Sequence, residues 1–330
     1  MTRHSHVDED DVRIRPGRSK SRPRTKDRPV FHDARDATVL AVDRGRFTIT
    51  DESGNEFYAV KARELGRKGI VVGDHVEVTG MDDLSSIDKT GREDFARIIR
   101  RSSRKTTLRR TADDVDPVER VIVANADQLA IVVAAADPEP RTGLIDRTLV
   151  AAFDAGIAPI LIVTKVDLAS ADALTDLYSP LDIPIFPVAN KVVGPEILAA
   201  LHGHRTVLIG HSGVGKSTLV NTLVPEADRA TGHVNVVTGK GRHTSTSVIA
   251  LRLPGGGLII DTPGIRSFGL AHVDPARLIE TFADVCEAAQ ACPRGCSHDE
   301  QHCVLDADSK VSPQRVASVR RLLRSRTQEV

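Results

Sequence analysis

Long apolar runs are missing from this chain. The longest, Leu129 to Ala136, has eight residues, against the roughly 18 that a membrane span requires. The first 30 residues contain no hydrophobic signal core, so secretion is not expected. Cysteine is scarce, and the four present crowd between Cys286 and Cys303 instead of spreading as a stapling framework. That distribution points to a reducing, cytoplasmic setting and leaves room for a metal. A membrane protein and a secreted disulfide scaffold are excluded, no membrane partner is expected, and no internal repeat is visible. The 330 residues, 40% of them hydrophobic, suit a globular protein of two or three domains.

Net charge is zero, with 45 basic and 45 acidic residues, yet the charges are segregated. Residues 12–28 hold eight Lys/Arg and one acid, 92–110 hold eight and two, and 310–330 hold six and one. Those 57 residues sum to +18 and the other 273 to −18. One such run is compatible with a solvated face. Three, set against an acidic remainder, raise the odds of a polyanion partner.

Residues 1–35 are polar, rich in Arg, Pro and Ser, and read as a disordered basic arm. Over 36–106 short apolar stretches alternate with turns: Ala37–Val42, Phe47–Thr50, Phe57–Val60, Ile70–Val72, His75–Val78 and Phe95–Ile99. This spacing predicts a small antiparallel barrel, of oligonucleotide-binding or SH3-like type. Over 107–270 the rhythm is strand–helix–strand. Strands are expected at Gln128–Ala134, Pro159–Val163, Ile183–Val188 and Thr206–Ile209, with helices at Leu144–Ala155, Ala171–Tyr178 and Pro195–His202. Residues 271–330 read as a helical segment, a cysteine cluster and a terminal helix at Gln314–Arg326.

Gly210-His211-Ser212-Gly213-Val214-Gly215-Lys216-Ser217 satisfies G-x-x-x-x-G-K-[ST], and Thr218 follows it. The motif leaves an apolar strand and leads into the helical stretch Ser217–Leu223, which is the setting a phosphate loop requires. Its glycines let backbone N–H groups turn inward around phosphate oxygens, and the helix N-terminus adds its positive end. Lys216 is expected at the β- and γ-phosphates, with the Ser217 hydroxyl on magnesium. Asp261-Thr262-Pro263-Gly264 follows the apolar run Leu258–Ile260. Asp261 is placed to hold magnesium through water, and the Gly264 N–H to meet a γ-phosphate.

Thr164-Lys165-Val166-Asp167, at the end of Pro159–Val163, matches the [NT]-K-x-D pattern by which P-loop GTPases read guanine. A carboxylate at Asp167 accepts from guanine N1–H and the exocyclic amine, while Lys165 lies along the base. Adenine offers no such pair of donors, which disfavours an ATP-using protein. Taken alone, the tetrapeptide is also a polar strand-to-helix turn. Ala189 and Asn190 are candidates for the loop that backs the base. Chain order is unusual, because the base reader precedes the phosphate loop and D-T-P-G comes last. A circular permutation of the GTPase sheet accounts for it, and it sends the second switch directly into the C-terminal segment.

With Ala124-Asn125-Ala126-Asp127, Gly241-Arg242-His243-Thr244 and the cysteine cluster, these motifs make the chain resemble the RsgA (YjeQ-type) circularly permuted GTPases from residue 37 onward. The resemblance implies an oligonucleotide-binding (OB) type barrel, a permuted α/β P-loop GTPase domain and a C-terminal helical zinc-binding domain. It also implies a role in late maturation of the small ribosomal subunit, with GTP hydrolysis to GDP and phosphate stimulated by that subunit. Expected partners are therefore the small subunit, its rRNA and GTP/GDP, acting on a monomer. An RNA-binding assembly module that uses guanine nucleotide only as a sensor is the alternative.

Ile265 stands where many GTPases carry a water-orienting Gln, so the polar group must come from elsewhere. His243 is the candidate, against the alternative of an exposed loop histidine. Thr244 or Thr246 completes the magnesium shell that travels with GTP. Cys292, Cys296, His298 and Cys303 supply three sulfurs and an imidazole, a set suited to one closed, structural Zn2+. Cys286 reads as a core residue, and His302 as a substitute ligand. Aromatics of the barrel region are few (Phe47, Phe57, Tyr58, Phe95) and some must be core, so shape and phosphate contacts to folded RNA are expected over base stacking.

Overall fold

Alternating burial along Arg35–Asp43 (β1), Arg46–Thr50 (β2), Glu56–Lys61 (β3), His75–Thr79 (β4) and Ala96–Arg101 (β5) sends one face of each strand into a shared interior. The computed structural model describes residues 33–66, 69–81, 95–111, 119–225, 248–263, 268, 270, 273–300, 302–307 and 310–326. β1 pairs antiparallel with both β2 and β4, β3 runs parallel to β5, and β5 returns to β4. The circuit 1-2-3-5-4-1 is a five-stranded OB-type barrel. A register shift between Val39 and Ala41 lets β1 serve both neighbours. Phe47 and Phe57 are buried among Val39, Ile49, Val76 and Ile98, while Tyr58 and Phe95 are only half-buried. Ile70–Val72, expected as a further strand, forms only an isolated bridge from Val72 to Val123, because the Val71–Asp74 turn ends it.

A hairpin of Thr107–Thr111 (β6) and Glu119–Ala124 (β7) leads out of the barrel. Its Arg- and Thr-rich arm β6 hides it from an apolar pattern. Next come Gln128–Ala134 (β8), Ala158–Thr164 (β9), Ile185–Val188 (β10), Arg205–Ile209 (β11), Ile249–Arg252 (β12) and Leu258–Asp261 (β13). Their spatial order is β10-β9-β8-β11-β13-β12, parallel except for β12. All seven residues of β8 are buried, as befits a strand covered on both faces. Among the helices, Thr142–Asp154 (α1) and Asp172–Tyr178 (α2) belong to one core, and Pro195–Leu201 (α3) and Lys216–Leu223 (α4) to the other. Strands encoded before and after β11 flank it on opposite sides, which is the permuted arrangement expected.

Barrel and α/β sheet are not loosely tethered. β1 meets β12 through Ala41 and Ile249, merging both into one 11-stranded sheet. Asn125 adds a buried clamp: its Nδ2 donates to Gly73 O at 2.9 Å, and its Oδ1 accepts from Lys105 N at 2.8 Å. Asp127 accepts from Arg205 N at 2.9 Å and lies 3.1 Å from His204 Nδ1, tying down the start of β11. Beside this joint, Asp74 is fully buried and takes Nε and Nη2 of Arg104 at 2.7 and 2.9 Å. Asp74→Ala would remove the fully buried carboxylate from this bidentate pair, so a loss of about 3–5 kcal/mol is expected in urea unfolding.

Pro275–Glu280 (α5), Ala283–Ala289 (α6) and Pro313–Ser325 (α7) follow the sheet, and α7 packs on α1. Ser312 caps α7 by accepting from Arg315 N at 3.2 Å, with Pro313 at its first position. The arginines of this helix are engaged within the chain. Arg315 pairs with Asp182 and Asp284, Arg320 with Asp306, Arg321 with Asp146 and Arg324 with Asp299. Lys310 pairs with Glu287. The third basic run is therefore largely neutralised by acids encoded elsewhere. Among the described residues no helix is long and apolar enough to cross a membrane.

Candidate guanine-nucleotide site and metal cluster

The phosphate loop joins β11 to α4 beside the C-terminal ends of β8 and β13, where open α/β sheets bind ligands. Gly210 and Gly215 show why the loop needs glycine. A Cβ on Gly210 would lie 2.5 Å from Val132 O, and Gly215 caps α4 at φ +91°. Lys216 Nζ contacts Asp261 Oδ1, bringing the ammonium of the phosphate-loop motif against the carboxylate of D-T-P-G. Thr262, which the sequence left without a role, is buried and donates its hydroxyl to Leu208 O at 2.8 Å, fixing the D-T-P-G loop to the strand that feeds the phosphate loop.

Thr164 is the bridge to the base reader. Its buried hydroxyl lies 2.6 Å from Val214 O and 3.2 Å from Val133 O, so a threonine donor performs the cross-link between loops encoded 50 residues apart. Lys165 stands at φ +57°, and its Nζ donates to Asp137 O. Asp167 Oδ1 accepts from Asn190 N at 2.9 Å. Thr164, Lys165, Asp167, Asn190, Gly213, Gly215 and Thr218 all line one cavity of about 540 Å³, within the size range of cofactor pockets. A carboxylate encoded ahead of the phosphate loop thus shares its cavity. Ala189 does not line it; Lys191 and Val193 do, unforeseen because neither falls within a recognised motif.

Other expected site residues divide by burial. Val214 is core and Val166 packs against core. Ser212 and Ser217 are exposed, and His211 Nδ1 lies 2.9 Å from Ser212 O. His243, Thr244, Thr246, Gly264 and Ile265 lie outside the described residues, as do residues 1–32 of the basic arm.

Beyond α6, the ligand atoms of Cys292, Cys296, His298 and Cys303 all lie within 4.8 Å of one another. Cys303 Sγ is 3.7 Å from Cys292 Sγ and 3.8 Å from Cys296 Sγ. The edge of a tetrahedron with Zn–S bonds of about 2.3 Å is about 3.8 Å. His298 Nδ1 is buried with no hydrogen-bond partner, a cost that a ligand role removes. Burial and the neighbouring Cys303 thiol push the Cys292 thiol up to about 11, so close thiolates here call for a cation. Sulfur spacing, donor chemistry and the orphaned nitrogen all fit a structural zinc. His302 is outside the set, and Cys286 on α6 packs against the core.

The RsgA GTPase family model matches residues 101–271. A Pseudomonas aeruginosa protein named small ribosomal subunit biogenesis GTPase RsgA is 40% identical over 250 residues, covering 72% of this chain and 73% of that relative. The chain belongs to the RsgA GTPase family. An Azotobacter vinelandii RsgA is 44% identical over 217 residues, 62% of this chain and 63% of its own. Among solved structures, YjeQ from Thermotoga maritima superposes with a TM-score of 0.63 at 24% identity, covering 90% of this chain and 100% of that one. YloQ, a circularly permuted GTPase, gives 0.64 at 23%, covering 89% and 96%. These two bear on the fold, and they agree with a permuted sheet behind a barrel. As an RsgA-family member the chain is a GTP hydrolase.

Proposed function

We propose that this GTPase acts in late maturation of the small ribosomal subunit, binding its rRNA and hydrolysing GTP to GDP and phosphate when the subunit is present. The observation that carries the reading is the single cavity lined by Asp167 and the phosphate loop, in a chain 40% identical to a small-subunit biogenesis GTPase. Asp167 and Lys165 select guanine, and the backbone of Gly210–Ser217 with Thr218 cradles the phosphates. Lys216 reaches the β- and γ-oxygens. Ser217, Asp261 and Thr244 or Thr246 would hold the magnesium that accompanies GTP, which would supply positive charge at the phosphate oxygens. Gly264 N–H meets the γ-phosphate, and His243 orients the attacking water.

On the same reading the chain divides at 36–106, 107–270 and 271–330, and rRNA contacts fall chiefly on the barrel of a cytoplasmic monomer. Support comes from its outer face, where half-buried Tyr58 and Phe95 rings lie 6.3 Å apart and Arg46 sits 5.3 Å over Phe95. Added salt should weaken subunit binding steeply, because phosphate contacts release counterions; a flat response in a sedimentation assay would count against an RNA partner.

Turnover measured with and without purified small subunits tests the enzyme reading. Slow hydrolysis alone and fast hydrolysis with subunits is expected, whereas no appreciable turnover even with subunits would leave only a nucleotide sensor. His243→Ala should cut stimulated turnover by about 10²-fold or more and spare GTP binding.

A further inference from the structure

Permutation sends the chain from the D-T-P-G loop straight into the C-terminal helices, and an arginine unused by the nucleotide site stands at that exit. Arg147 belongs to α1 and is 2% exposed. Its Nε and Nη2 both donate to Phe268 O, at 3.1 and 2.6 Å. Its Nη1 donates to Ser325 O at 3.0 Å. Phe268 follows Asp261 by seven residues and is fully buried in the core that α1 and α7 share. Ser325 ends α7, so its carbonyl is among those that a helix leaves unpaired and that favour a cation.

Packing alone does not call for a guanidinium at this depth, since an apolar side chain would fill the space without the cost of desolvating a charge. What an arginine adds is a rigid fork that fixes two carbonyls relative to each other. One belongs to the chain leaving D-T-P-G, the other to the C-terminal helix. The opposite end of the D-T-P-G loop is already held by Lys216 on Asp261 and by Thr262 on Leu208 O. Helix α7 also reaches the metal loop, through Arg320 Nε on His298 O at 2.7 Å and Arg324 on Asp299. A continuous set of contacts therefore runs from metal loop to α7, to Arg147, to Phe268.

We propose that Arg147 is a positioning residue for hydrolysis, through which the docked C-terminal helix holds the chain at Phe268, seven residues beyond Asp261, for the stimulated reaction. This rests on the reading of the chain as a subunit-stimulated GTPase. Arg147→Gln, Arg147→Lys and Arg321→Gln are compared for zinc content, melting temperature, nucleotide affinity, and kcat and KM with and without small subunits. Arg321→Gln breaks the Asp146 pair at the same α1–α7 contact without touching Phe268 O. Arg147→Gln should lose about tenfold or more in stimulated kcat, with KM and GTP affinity held within about threefold. Arg147→Lys should recover part of the rate, and Arg321→Gln should keep stimulation within about threefold.

Full stimulated kcat in folded Arg147→Gln would overturn the proposal. So would an equal loss in Arg321→Gln at matched melting temperature, which would assign the effect to helix docking in general. If the Arg147 variants fail to fold, hydrogen exchange on the unaltered protein decides. The amides of Phe268 and Leu270 and those of 320–326 should change protection together when GDP is replaced by a non-hydrolysable GTP analogue, and a change confined to one group sinks it. Exchange needs only nucleotide, so a wild-type protein indifferent to subunits would remove the functional reading and leave this test standing.

Discussion

Asp167→Asn should lower GTP affinity by about four orders of magnitude and transfer preference to xanthosine triphosphate. Guanine presents N1–H and an exocyclic amine, both donors, and a carboxylate accepts from both. An amide replaces one acceptor by a donor, which meets guanine's amine with repulsion and xanthine's C2 carbonyl with a hydrogen bond. The substitution is otherwise conservative, because an asparagine oxygen can still accept from Asn190 N, as Asp167 Oδ1 does at 2.9 Å. Loop geometry is thus retained while base chemistry is inverted. Competition between the two nucleotides for a fluorescent analogue reads the switch directly. Unchanged GTP binding would mean that the cavity joining Asp167 to the phosphate loop is not the purine pocket.

Cys303→Ala should abolish zinc binding and unfold the C-terminal segment. Cys303 is 5% exposed and its sulfur is within 3.8 Å of both other thiols, so no neighbour can replace it without rebuilding the loop. Structural zinc contributes about 10–16 kcal/mol in small domains, which equals or exceeds the whole stability of an ordinary domain. Helix α7 is tied to that loop by Arg320 and Arg324, so its protection should fall with the metal. Metal analysis gives the stoichiometry, and calorimetry should show the C-terminal transition lost while GTP binding persists. Coordination needs thiolates, and Cys292 holds its proton more tightly than an ordinary cysteine. Zinc uptake therefore releases protons, and affinity should fall as pH is lowered.

Much of the site is legible in the residues because its parts are short and local. Gly210–Ser217 carries its own geometry, and the apolar runs around it are strands whose ends the structure moves by a residue or two. Four-residue β12 escaped because its apolar stretch is short, and the charged arm β6 because it shows no apolar period. The Thr164 hydroxyl had no visible partner until folding set it against Val214 O. The terminal basic run is the clearest divergence. In the sequence it is a candidate polyanion surface; in the fold its arginines meet Asp182, Asp284, Asp306, Asp146 and Asp299.

The candidates for guanine-nucleotide chemistry and for gripping zinc were determined by sequence alone, because residue type and close spacing nominate both. Whether Asp167 faces the same cavity as Gly215, and whether a given arginine is left for an RNA phosphate, was decided only by tertiary structure. Those outcomes depend on strands crossing over and on partners such as Arg321 and Asp146, 175 residues apart. Charge and periodicity are properties of a segment, but pairing is a property of the packed chain.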